Sequence, residues 1–373
     1  MSTQMNLKND ERAVFALRQL YRQYGYTPYK MSRFEEYDLY VQNKDFLISD
    51  QVITFSDRNG RLLALKPDVT LSIIKNAPDK AGVVEKVYYN ENVYRVDKGT
   101  YMFKEILQTG LECVGDLTCC EVAEVVLLAA KSLSLMSGDF VLDISHMGLI
   151  QAVLEESGLS ESGKSRAMTC LRQKNIHELQ SVCRVEGCTE QFLQKVTALI
   201  RCTGTPEKVL PAIKELMKAQ SEQNALEELL HLCEILDAQG FGNTVRIDFS
   251  VGSDMKYYSG VVFKGYLAGL PSGILSGGQY DKLLRKMGRT SSAIGFAIYL
   301  DMLERLQKPA AAYDVDNVLL YNPSDDPQKV IRFSEEMRKD GSVLAATELP
   351  QGRTWRKLFR LERGEAVLIE DNG

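Results

Sequence analysis

Two carboxylates, an amide and a hydroxyl fall at spacings that could gather them around a small cation. Pro67 biases Lys66 towards extended backbone, so Asp68 and Thr70 are expected to project from one face of a strand. Gln108 and Glu112 stand four residues apart in a segment that reads as a strand, and so share a face too. A cluster of Asp68, Glu112 and Gln108 suits an α-ammonium group, which needs several acceptors and a counter-charge once it leaves water. The same residues could equally be ordinary sheet positions with solvated carboxylates, and spacing alone leaves both readings open.

Several other chemistries are missing. There is no G-x-x-x-x-G-K-[ST] loop, no G-x-G-x-x-G after a strand and no G-x-S-x-G elbow. No acidic pair precedes a Thr/Gly-rich loop that could hold phosphoribosyl pyrophosphate, so the chain does not read as a phosphoribosyl transferase itself. His146, His177 and His231 lie in separate segments without an HExxH pattern. The eight cysteines form no C-x-x-C pair, and the spacing of His177, Cys183, Cys188 and Cys202 matches no common zinc pattern; no metal or cofactor is expected. A net charge of −5 without a lysine or arginine block shows no nucleic-acid footprint and leans against tRNA binding. No apolar run is long enough for a bilayer and the N-terminus lacks a signal-peptide core, so the expected location is the cytoplasm.

The elements that must position these residues are legible in outline. Val14, Phe15, Leu17, Leu20 and Tyr21 recur at helical spacing within 11–25, before Gly25. Segments 52–56 and 61–67 read as strands around the turn sequence DRNG, and 86–100 and 101–115 as two long antiparallel strands. A helix is expected over about 120–137, a strand over 140–145 and a helix to about Ser157. The stretch 158–238 is polar and helix-forming, and reads as a helical insertion. Alternation returns at 244–251, followed by 257–267, the glycine-rich 276–284 and an apolar strand-to-helix run at 291–306. After a break at 308–312, a β-α-β-α-β order with a basic helix before the last strand suggests a small α/β domain over 311–373.

Four of these segments, in order, resemble class II histidyl-tRNA synthetases. They are DRNGRLLALKPDVT (57–70), VYYNENVYRV with YMFKEILQTGLECVG (87–115), YYSGVVF (257–263) and SGGQYDKLLRKMG with SAIGFAIYLDML (276–303). The resemblance implies an α+β fold, with an antiparallel sheet flanked by helices over 1–310 and a truncated anticodon-binding-like domain over 311–373. It also implies a histidine-like pocket of Asp68, Thr70, Arg95, Gln108, Glu112, Tyr257 and Tyr258, the two tyrosines offering ring contacts or a hydroxyl to an imidazole. Arg95 falls on the arginine that binds the amino-acid carboxylate and ATP; a structural ion pair is its other reading.

The chain departs from the synthetase pattern where charge must be stabilised. Family arginines are replaced by Ser253, Gln279 and Met302, the one before the motif 2 glutamate by Lys104, and the motif 1 proline by Ser32; Lys256 stands at an acidic position. Losing one fixed donor to a developing charge costs about 10²–10³ in rate, so aminoacyl-adenylate formation should be lost. This combination resembles the regulatory subunits of ATP phosphoribosyltransferase. It implies a non-catalytic partner of a short-form catalytic subunit in histidine biosynthesis, feedback inhibition by histidine, and a homodimer through the motif 1 face (11–40). An active histidine-type ligase and a stand-alone interaction module are the competing expectations.

Overall fold

The structure is a computed structural model and describes residues 9–47, 52–97, 100–251, 257–305 and 313–372. It divides into two compact units, Met1–Arg305 and Leu306–Gly373. The expected boundary at 310/311 lies outside the described residues, as do Ser253 and Lys256.

The first unit opens with α1 (Asn9–Gln23), β1 (Thr27–Pro28), β2 (Phe34–Glu36) and α2 (Tyr37–Gln42). The hairpin β3 (Thr54–Ser56) and β4 (Leu62–Leu65) leads to α3 (Thr70–Asn76), and then come the long strands β5 (Val84–Val96) and β6 (Phe103–Gly115). Helix α4 (Cys119–Met136), β7 (Phe140–His146) and α5 (Met147–Glu155) follow. Five further helices fill most of the next stretch: α6 (Glu161–Arg172), α7 (Ile176–Glu186), α8 (Glu190–Arg201), α9 (Pro206–Leu216) and α10 (Gln220–Ala238). The short β8 (Thr203–Gly204) lies between α8 and α9, so this helical stretch also adds an edge strand to the sheet. The unit ends with β9 (Val245–Asp248), β10 (Val261–Leu267), β11 (Leu275–Gln279), α11 (Asp281–Lys286), β12 (Ser292–Tyr299) and a 3₁₀ stretch at Leu300–Arg305.

Nine strands form the main sheet in the order β1-β5-β6-β12-β11-β10-β7-β9-β8. Among the described residues of this sheet, β1–β5 and β7–β9 are parallel pairs and the remainder run antiparallel. Its helix-covered side buries Tyr21 of α1 against Tyr88 and Phe296 of the sheet, with ring centroids 6.0 and 6.1 Å apart. Such aromatic burial supplies much of the driving force for closing the layer. The alternation at 244–251 stops being a strand at Asp248, whose carboxylate accepts from the Ser250 N–H at 2.9 Å and the Ser250 hydroxyl at 2.6 Å. That local side-chain competition turns residues 249–251 into a 3₁₀ turn.

In the second unit, β13 (Val315–Leu320), α12 (Pro327–Met337), β14 (Val343–Ala346), β15 (Trp355–Glu362) and β16 (Glu365–Asp371) form a four-stranded sheet in the order β14-β13-β15-β16. The basic helix expected before the last strand is instead β15. Arg363 and Gly364, at φ 50° and 87°, make the two-residue turn that returns the chain as β16. Among the described residues no helix is long and apolar enough to cross a membrane.

Candidate functional site

The face of the main sheet opposite α1 holds a cavity at the crossing of β5, β6, β12 and β11. Asp68, Thr70, Arg95, Gln108, Glu112, Tyr257 and Tyr258 all line it, together with Tyr89, Tyr280 and Tyr299. Strand register explains the sheet-borne members. Gln108 lies opposite Tyr299 and Glu112 opposite Gly295, so all four belong to one face of β6 and β12. Asp68 and Thr70 arrive differently from the expectation of a common strand face. Strand β4 stops at Leu65, and Thr70 is the first residue of α3. Asp68 stands just before that helix, where it accepts from the Leu71 N–H of the first turn at 2.9 Å.

Glu112 is 2 % exposed, and each of its carboxyl oxygens meets a hydroxyl: Thr70 donates to Oε1 at 2.6 Å and Tyr280 donates to Oε2. These contacts pull its pKa down, but desolvation is larger and pushes it up to about 8. Burial also raises the Asp68 carboxyl, opposed by the N–H groups of Leu71 and Thr70 and by Arg95. The two carboxyls therefore differ: Asp68 has a cation and a helix N-terminus beside it, whereas Glu112 has neutral hydroxyls and the Asp68 charge. The cluster is less anionic than its composition suggests.

Arg95 is 8 % exposed; its Nε donates to the Pro67 carbonyl at 3.0 Å, and its guanidinium lies 5.9 Å from the centre of the Tyr299 ring. The Nε2 of Gln108, in a side chain that is 2 % exposed, has no hydrogen-bond partner among the described residues. A buried donor left unmade costs about 1–3 kcal/mol, so this amide is poised for an acceptor rather than for an ammonium group. Tyr257 packs edge-on to Tyr258 at 4.5 Å and tilted against Tyr280 at 5.7 Å, walling one end of the cavity with rings. Close approach needs glycine here. A Cβ on Gly295 would come within 1.7 Å of Glu112 Oε2, and one on Gly278 within 2.8 Å of the Tyr258 ring.

Sequence reasoning missed Tyr280, Tyr89 and Tyr299. Tyr280 stood in plain view in the SGGQYD segment, and the two others sit on strands whose register was not legible. The structure also corrects the role given to Gln279. It follows Gly278 on β11 and so turns to the other side of the sheet, where its Oε1 accepts from the Val261 N–H at 2.7 Å. Its exchange for arginine therefore does not touch the cavity. Lys104 pairs with Asp97 at the loop end of the β5–β6 hairpin, and the Ser32 hydroxyl accepts from the Phe34 N–H at 3.3 Å. Met302 lies half-buried in the 3₁₀ stretch. Among the described residues no three His, Cys, Asp or Glu side chains gather as they would around a metal ion.

Comparison with known proteins places this geometry. The family model for histidyl-tRNA synthetase matches residues 3–303. An ATP phosphoribosyltransferase regulatory subunit of Alkaliphilus metalliredigens is 26% identical over 358 residues, covering 93% of this chain and 89% of the relative. One from Clostridium kluyveri is 28% identical over 357 residues, covering 91% and 90%. Among solved structures, an ATP phosphoribosyltransferase regulatory subunit/histidyl-tRNA synthetase from Bacillus halodurans superposes with a TM-score of 0.77 at 22% identity, covering 96% of this chain and 99% of that one. A chain of the ATP phosphoribosyl transferase (HisG:HisZ) complex from Thermotoga maritima does so with a TM-score of 0.62 at 21% identity, covering 78% and 97%. The chain belongs to the histidyl-tRNA synthetase family, among its ATP phosphoribosyltransferase regulatory subunits.

Proposed function

We propose that this regulatory subunit holds an amino acid of the histidine type in the cavity without activating it, and that occupancy changes how it acts on a short-form catalytic subunit. The observation that carries this reading is the convergence of the seven residues and the orphaned Gln108 donor on one buried space. Asp68 suits an ammonium group, Gln108 and Arg95 suit a carboxylate, and the three tyrosines around Glu112 suit a flat ring. The free volume of about 50 Å³ holds a few waters, so an entering amino acid displaces them and moves the tyrosine wall. Met302 offers no charge where the synthetases place an arginine, which supports a site that binds without adenylation.

Coupling to the partner follows from linkage: a ligand with unequal affinity for two assembly states must shift the balance between them. A homodimer through the first forty residues is part of the same proposal. Phe34 and Phe55 of the small sheet β2-β4-β3 stack edge-to-face at 5.7 Å and are 47% and 40% exposed, an apolar face that a second copy would cover. We place the assembly in the cytoplasm and assign it no tRNA.

The test is calorimetric titration of L-histidine into the full chain and into Asp68→Ala and Glu112→Ala. Each substitution should weaken binding by about tenfold or more, because a buried charged or polar partner is left unmatched, while the fold persists. Unchanged affinity in both variants moves the ligand elsewhere. Histidine-dependent exchange of pyrophosphate into ATP should stay at background; turnover above it would favour the ligase reading.

A further inference from the structure

A second cavity, of about 400 Å³, lies on the layer opposite the tyrosine-walled one and shares no lining residue with it. Its floor is apolar: Val122 and Ala123 of α4, Leu232 and Ile235 of α10, and Val261 of β10. Glu227 and Glu228 of α10 supply its carboxylates, and among the described residues no lysine or arginine lines it. Glu228 keeps its charge. The Nδ1 of His146 accepts from the Leu149 N–H at 3.3 Å, so the ring is neutral and its Nε2–H donates to Glu228 at 3.1 Å. His231, also on the lining, has its Nδ1 3.7 Å from Glu234. The start of α4 borders the cavity too, and a helix start ordinarily favours an anion. Here that anion is already present: the Glu121 carboxylate accepts from the Thr118 N–H at 2.8 Å and from the Thr118 hydroxyl at 2.6 Å.

We propose that this cavity is a second ligand site, for a small molecule carrying an amine or guanidinium on an apolar body, and that its occupancy reaches the first cavity through Gln279. The body lies on Val122, Leu232 and Val261, and the cation reaches the two carboxylates. A ligand bearing a carboxylate or phosphate would meet Glu227 and Glu228 as like charges, with no lining lysine or arginine to hold it. The volume falls within the range of about 300–1,000 Å³ that small ligands occupy.

The route between the cavities is short. Gln279 lines the second cavity, while the next residue, Tyr280, donates to Glu112 in the first. The Gln279 Oε1 accepts from the Val261 N–H at 2.7 Å. Its carbonyl accepts from the Ser259 N–H at 2.9 Å, one residue after Tyr258 of the tyrosine wall. Gly260 permits this contact, since a Cβ there would come within 2.1 Å of the same Oε1. A ligand that displaces the Gln279 amide therefore shifts the backbone beside both Tyr258 and Tyr280. This coupling rests on the amino-acid reading above; the second site itself does not.

Benzamidine is the probe, with benzamide as its neutral counterpart and benzoate as its anionic one. Cys119 and Cys120 are both exposed, and Cys119 lines the cavity while Cys120 does not. Alkylation of the full chain by iodoacetamide, read at each thiol by mass spectrometry, therefore reports where the probe sits. Saturating benzamidine should slow Cys119 by about threefold or more and leave Cys120 within about 1.5-fold. Benzamide and benzoate at the same concentration should protect neither. Replacing both carboxylates, Glu227→Gln with Glu228→Gln, should raise the benzamidine concentration needed by about tenfold. No protection by benzamidine, equal protection by benzoate, or protection undiminished in the double variant overturns the site. For the coupling, histidine is titrated calorimetrically with and without saturating benzamidine. The affinity should change by about fivefold or more, and by less than about twofold in Gln279→Ala. An unchanged affinity in the natural chain, or a change that persists in Gln279→Ala, overturns the relay. No histidine binding under either condition removes the amino-acid reading and the relay with it, while protection of Cys119 decides the second site independently.

Discussion

At Glu112 burial and hydrogen bonding oppose each other, and burial prevails. Its carboxyl moves from an ordinary 4.5 to about 8 on folding, so between those values the folded chain binds more protons than the unfolded one. This group's contribution to stability is therefore full below about 4.5 and drains away as pH rises through the window to about 8. Thermal unfolding should show it: the Tm of the natural chain relative to Glu112→Gln falls by a few degrees or more from pH 5 to 8.5, and a difference that grows instead would contradict the assignment. The residues that face a ligand were readable because motif spacing carried them into one place. Tyr89 and Tyr299 were not, because a tyrosine in an apolar strand looks like core until register puts its ring beside Glu112. Gln279 shows the reverse error: a motif position says nothing about which face of a strand it occupies, and one residue of offset sends the side chain to the opposite layer.

The elements divide the labour of holding the cavity open. Strands β5 and β6 pair over thirteen residues each, a rigid ribbon on which Arg95, Gln108 and Glu112 cannot drift apart. Asp68 accepts from the Leu71 N–H in the first turn of α3, so the same carboxylate that faces the cavity also fixes the turn leaving β4. That turn was misread as strand because Pro67 favours extended backbone locally, whereas that hydrogen bond and the buried Leu71, Ile73 and Ile74 decide for a helix one step later. Strand β12 contributes an absence: Gly295 leaves the space Glu112 occupies. Gly295→Ala should force Glu112 away from Tyr280, abolish histidine binding in calorimetry and cost about 1–3 kcal/mol in denaturant unfolding; full binding by that variant would mean that Glu112 can move without consequence. In the second unit, Arg356, Lys357 and Arg360 drew a helix reading, but Trp355, Phe359 and Leu361 pack as a strand once the turn at Arg363–Gly364 folds β16 back.

At the scale of the whole molecule, the long strands and helices of 1–305 were legible, since period-2 and period-3.6 segments alternate with clear turn chemistry, whereas the short β1, β2, α2 and α3 were not, because segments of two to seven residues show too little of either period. The pairing order of the sheet was not, because contacts such as β6 with β12 join residues far apart in the chain. We propose that the first unit folds without the second: a chain ending at Arg305 should unfold cooperatively and keep its histidine affinity within about twofold, because every residue lining the cavity lies before it. Aggregation of that truncation would show the boundary to be wrong. The central claim is that this chain works through another protein rather than by chemistry of its own. Its most direct test mixes the full chain with the short-form ATP phosphoribosyltransferase of the same genome and measures phosphoribosyl-ATP formation with and without histidine. The account predicts activity well above that of the catalytic subunit alone, suppressed by histidine and no longer suppressed when Asp68→Ala replaces the natural chain. Absence of both activation and complex formation would contradict it.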